Sequence, residues 1–154
     1  GFARFAREAS DVADALAKEG LKFVYHNHNF EFRSFGGKTG MEILFEETSP
    51  NFQFELDTFW VQKGASDVRA WIEKVRGRMD VVHFKDMALD DKSEQVMAEI
   101  GQGNLNWDGI IAACREKGVL VIKAKDKLRL LPALNIPMDQ LAKAVAVIKE
   151  CCAG

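Results

Sequence analysis

Four short apolar runs, each stopping at polar side chains, constrain this chain more than any other feature. The first, Leu21-Lys22-Phe23-Val24, leads into Tyr25-His26-Asn27-His28-Asn29-Phe30-Glu31-Phe32, which holds two of the chain's three histidines. The second ends at Asp57, the third at His83, and the fourth runs over 119–124 and leads to Asp126. Such runs read as β-strands. Side chains alternate along a strand, so His26 and His28 are expected on one side of the first. Two imidazoles at a strand end are costly to leave unpaired, and they suit a metal or a polar substrate.

Between the runs the apolar period changes to that of a helix. Phe2, Phe5, Ala9, Val12, Ala13 and Leu16 mark a helix over 2–18, stopped by Glu19-Gly20. Further helices are expected over 40–47, 67–76, 107–117 and 138–150, with strands over 21–28, 52–57, 79–84 and 119–124. Residues 29–38 read as a loop and 87–94 as a polar, flexible stretch. Strands alternating with helices argue for parallel βαβ units in an α/β fold. Barrels and doubly wound sheets both place functional residues at the C-terminal ends of their strands. Four strands do not close an eight-stranded barrel, which takes about 250 residues. The chain is therefore either a small open α/β domain or half of a barrel. A half-barrel exposes sheet edges and one end of its core, and needs a partner, a second copy or repacking.

Composition narrows the partners. A chain of 154 residues, 47% hydrophobic and 29% charged, is expected to form one domain with a real core. A formal net charge of −2 leaves no footprint for nucleic acid or an anionic membrane. No apolar run reaches the roughly 18 residues of a membrane helix, and the N-terminus lacks a signal-peptide layout. Cys114, Cys151 and Cys152 form neither a CxxC pair nor an even framework, which predicts free thiols in a reducing cytoplasm.

Four segments taken together, residues 25–32, Phe54-Glu55-Leu56-Asp57-Thr58-Phe59-Trp60, Val82-His83-Phe84-Lys85-Asp86 and Glu99-Ile100-Gly101-Gln102-Gly103-Asn104, resemble the sugar phosphate isomerase/epimerase family. That family has the xylose-isomerase-like TIM barrel, also the fold of endonuclease IV. The resemblance covers about 21–119 and places the chain on the C-terminal half of the barrel, as (β/α) units with about four strands and four to five helices. It implies a divalent metal ion (Zn, Mn, Co or Mg) in the barrel mouth. It also implies proton transfer beside a sugar or sugar phosphate carbonyl.

On this resemblance Asp57 and His83 match the family's aspartate and histidine ligands. The competing readings are a helix N-cap for Asp57 and a satisfied buried imidazole for His83. His26 stands where much of the superfamily has a glutamate ligand; His28, two residues on, and Glu31 nearby are the catalytic candidates, Glu31 supplying the missing carboxylate, with structural hydrogen bonding at the barrel mouth as the competing reading for the two histidines. Trp60 stands where relatives place a substrate-facing side chain, although core packing is the plainer role. Lys85 suits a hydroxyl or phosphate, and Asp86 suits the orientation of Lys85 or a histidine, with solvated charges as the alternative. Gly101-Gln102-Gly103 lacks a phosphate-loop pattern and reads as a tight turn. The last strand departs from the family: Val121-Ile122-Lys123-Ala124-Lys125-Asp126-Lys127 has no glutamate, Asp126 is the substitute ligand, and three lysines bring opposing charge.

The expectation is a metal-assisted isomerase or epimerase, with a catalytically inactive half-barrel as the competing reading. A homo-oligomer or a separate missing barrel half is the expected partner. A nuclease on the same fold is disfavoured by the absence of basic excess.

Overall fold

The computed structural model describes residues 1–116. The fourth strand, the last helix, Asp126, Cys151 and Cys152 fall outside the described residues. The chain opens with α1 (Phe2–Lys18) and β1 (Phe23–His26). A 3-10 turn (Phe30–Phe32) and a two-residue hairpin, β2 (Ser34–Phe35) with β3 (Lys38–Thr39), lead into α2 (Gly40–Glu47). Then come β4 (Phe52–Asp57), α3 (Thr58–Lys63), α4 (Val68–Lys74), β5 (Val81–His83), a second hairpin of β6 (Asp86–Leu89) and β7 (Gln95–Ala98), and α5 (Trp107–Glu116).

β1, β4 and β5 form a parallel sheet in the order β1-β4-β5. This unclosed parallel sheet with helices between its strands is the arrangement expected of part of a (β/α) barrel. Register decides its two faces. Phe23 pairs with Phe52, Tyr25 with Phe54 and Leu56 with Val82, so these apolar side chains share one face. Phe52, Phe54 and Leu56 are completely buried there, in one core with Met41, Leu44, Ile72 and Ile110. The opposite face carries Val24 beside Gln53, His26 beside Glu55, and Asp57 beside His83. Val24 is exposed and the histidines only partly covered, so this second face is not closed over among the described residues.

α1 packs through Ala6, Ala9 and Ala13, small residues that allow close approach, and leaves Phe5 and Val12 exposed. The buried stripe is thus turned from the one marked by its largest apolar residues. Serine and aspartate tie the helix to the turn before β4: the Ser49 N–H donates to Ser10 Oγ, and Asp14 accepts from Ser49 Oγ and Asn51 Nδ2. α2 begins with a capping box in which Thr39 and Glu42 satisfy each other's backbone N–H groups. The Arg78 guanidinium lies near the rings of Phe45 and Phe54 and donates to the carbonyls of Phe45, Ser49 and Phe52.

Three expectations change. β1 stops at His26 because the chain turns there, so strand alternation does not extend to His28. The segment after His83 is ordered: β6 and β7 pair antiparallel across a turn in which Asp90 Oδ1 accepts from the Lys92 and Glu94 N–H groups. Finally, α3 is too short for its periodicity to show. It forms because Asp57 caps it and Gly64 ends it.

Candidate active site at the strand ends

The parallel register brings three polar strand ends together. Asp57 is fully buried and ends the central strand, with His83 directly beside it on β5 and His26 on β1. Its two carboxylate oxygens have separate tasks. Oδ1 accepts the Trp60 N–H at 3.2 Å and so starts α3. Oδ2 lies 3.0 Å from His26 Nε2, 3.4 Å from His83 Nδ1 and 2.7 Å from Lys85 Nζ. Cap and ligand, the two competing roles of Asp57, are thus available to different oxygens of one side chain.

His26 Nε2 and His83 Nδ1 lie 3.2 Å apart. The two imidazole nitrogens and the carboxylate oxygen all fall within 4.8 Å of one another, a donor set that fits a divalent cation. One proton on His26 Nε2 serves either Asp57 or His83, whereas a cation uses the lone pairs of all three. Burial, and after it the charge of Lys85, lowers the His83 pKa below the ordinary histidine value against the opposing pull of Asp57. The neutral ring is the ligating form.

Two buried residues that the sequence does not single out hold this arrangement. Asn27, completely buried, accepts the Asp57 N–H at 2.9 Å through Oδ1. Thr58, also buried, donates its hydroxyl to the Lys85 carbonyl at 2.6 Å and accepts the Lys85 N–H at 2.8 Å, pinning the β5 end to α3. Each directly follows a cluster residue in sequence, and no pattern marks it.

The other predicted residues take different places. The His28 ring lies 5.1 Å from that of His26, 5.2 Å from Trp60 and 6.0 Å from Phe30, at the edge of the cluster and exposed. Trp60 is partly exposed, with the Lys63 ammonium 5.5 Å from its ring centroid. Glu31 is completely buried and accepts from the Tyr25 hydroxyl at 2.7 Å and the His28 N–H at 3.0 Å. Burial, and then the Glu31 carboxylate, raise the Tyr25 phenol pKa. Asp86 is also completely buried, and its oxygens accept from the N–H groups of Met87, Gly101, Gly103 and Leu105 and from Trp107 Nε1. It therefore orients neither Lys85 nor a histidine, because the 101–107 loop takes up both oxygens. A cleft of about 550 Å³ lined by Gln62, Asp67, Arg69, Leu105, Asn106 and Ile110 holds none of the cluster.

Residues 1–151 match the family described as xylose isomerase-like TIM barrel. The chain belongs to that family. Among solved structures it is similar to a sugar phosphate isomerase/epimerase from Parabacteroides distasonis, with 24% identity and a TM-score of 0.62 over 77% of this chain and 43% of that one. It is also similar to an L-ribulose 3-epimerase, with 21% identity and a TM-score of 0.55 over 76% of this chain and 37% of that one. In sequence it is 43% identical over 142 residues to a protein of Debaryomyces hansenii named mitochondrial acetylornithine aminotransferase, covering 91% of this chain and 28% of that protein. That name belongs to a much longer protein. The chain spans less than half the length of each of these three relatives. Among the described residues no helix is long and apolar enough to cross a membrane.

Proposed function

We propose that this chain carries the metal-binding half of a sugar or sugar phosphate isomerase/epimerase active site. The observation that carries the reading is the convergence of His26, Asp57 and His83 at the C-terminal ends of three parallel strands. The similarity of the fold to sugar isomerases and epimerases supports it. These three residues would hold a divalent ion, and Asp126, outside the described residues, would complete the ligands. When bound, such an ion polarises a substrate carbonyl as a Lewis acid.

The chain's own groups then have distinct tasks. Asp57 keeps both imidazoles turned toward one point while capping α3. His28, exposed beside His26 and Trp60, would exchange a proton at the carbon next to the carbonyl. Glu31 holds the His28 backbone, so it is a positioning residue. The Trp60 ring offers a flat apolar face to a sugar.

A second reading, a non-catalytic half-barrel completed by another copy or a separate half, is favoured by the open second face of the three-stranded sheet. Size-exclusion chromatography with elemental analysis of the peak, followed by solvent deuterium exchange into ketoses and ketose phosphates, separates the two. One bound divalent ion per chain, with exchange abolished by Asp57→Ala and by His83→Ala, is expected. A metal-free assembly without exchange favours the second reading.

A further inference from the structure

We propose that Lys85 is a built-in competitor of the metal: its ammonium and a divalent cation exclude one another at Asp57 Oδ2, so metal binding releases the lysine. This rests on the metal reading of the site given above.

Lys85 Nζ lies 2.7 Å from Oδ2, closer than His26 Nε2 at 3.0 Å or His83 Nδ1 at 3.4 Å. The carboxylate is completely buried and its other oxygen is committed to the Trp60 N–H, so Oδ2 is the one atom left for a cation. Two cations sharing one carboxylate oxygen repel strongly in a partly buried site. A buried carboxylate without any cation is also costly. The lysine thus serves the empty site and opposes the filled one. Its chemistry suits exchange, since an ammonium on a flexible four-carbon stem leaves more readily than a planar, two-pronged guanidinium. Thr58 fixes the Lys85 backbone from both sides, so release moves only the side chain, which is already 24% exposed.

The test is calorimetric titration of the full 154-residue chain with Mn²⁺ and Zn²⁺, comparing the wild type with Lys85→Met and Lys85→Arg. Lys85→Met is expected to bind at least about tenfold more tightly, with Lys85→Arg no tighter than wild type; a tenfold change corresponds to about 1.4 kcal/mol. Binding by Lys85→Met alone supports the same conclusion in a stronger form. Equal or weaker binding by a folded Lys85→Met overturns the competition and leaves the metal reading standing. Binding by neither overturns both. A second measurement needs no variant: amine-reactive labelling of wild-type Lys85, read by mass spectrometry with and without saturating metal. Labelling is expected to rise several-fold with metal, and unchanged labelling on a loaded protein overturns the proposal.

Discussion

Trp107 Nε1 donates to Asp86 Oδ2 at 2.7 Å, joining the first residue of α5 to the first residue of β6. Around that bond, the N–H groups of Met87, Gly101, Gly103 and Leu105 also point at the Asp86 carboxylate. One buried anion therefore gathers the whole loop that carries the chain from the second hairpin into α5. Asp86→Ala leaves these donors without a partner and is expected to cost about 2–3 kcal/mol, whereas Trp107→Phe removes one donor and costs about 1 kcal/mol. Denaturant unfolding of the two variants checks the ranking.

The same clasp predicts a pH dependence. Burial pushes the Asp86 carboxyl upward, but the hydrogen bonds from Trp107, Met87, Leu105 and Gly103 outweigh it and leave it below the ordinary aspartate value. A group whose pKa is lowered by folding adds stability above its unfolded pKa and loses that contribution as pH falls through the folded one. The wild type is therefore expected to lose stability steadily below the ordinary aspartate range. Asp86→Asn, less stable at neutral pH, should show a flatter acid limb in thermal melts.

Gly103 is required by the clasp for a steric reason. A Cβ at this position would lie 2.4 Å from both Asp86 Oδ1 and the Met87 carbonyl oxygen, with no flexible side-chain end to give way. Gly103→Ala should cost roughly 1–3 kcal/mol by overpacking. Adding the substitution to Asp86→Ala should cost less than its effect alone, since one clashing partner is gone. A double-mutant cycle measures this coupling.

Glu42 predicts a second acid-sensitive point. The Thr39 N–H, then Lys74 and the Thr39 hydroxyl, hold its carboxyl down at about 2. Its contribution is complete above the ordinary glutamate pKa and is lost as pH falls toward about 2. Thr39→Ala breaks the capping box and should cost about 1 kcal/mol at neutral pH. That difference should narrow in acid, as seen by circular dichroism.

Asn27 tests the support of the cluster. Replacing it with Ala leaves the buried Asp57 N–H unpaired and frees the carboxylate's backbone to shift. At the proposed metal site, affinity should fall about 10–100-fold, the usual effect of losing a residue that orients a ligand. Metal at a hundred times its Kd should stabilise the wild type by about 2.7 kcal/mol. A much smaller shift in melting temperature is expected for His83→Ala and for Asn27→Ala at the same concentration.

Much of the frame follows from the chain alone. The 2–18 helix, the 40–47 helix and the strand ending at Asp57 are set by local rules: helical spacing, a threonine cap with glutamate three residues on, and period-two alternation with Phe52, Phe54 and Leu56 on one side. The arrival of His26, Asp57 and His83 at strand ends is also local, since each closes an apolar run. What those ends do was decided only in three dimensions. Register across the parallel sheet, which no single strand encodes, puts the three side chains on one face. Long-range hydrogen bonds then assign the rest: Asn27 to Asp57 across 30 positions, Thr58 to Lys85 across 27, and Asp86 to Trp107 across 21. A buried charge takes whatever donors the folded chain brings to it. For that reason Asp86 and Glu31 became anchors of loops, and Lys85, read as a substrate contact, lies against the carboxylate of Asp57.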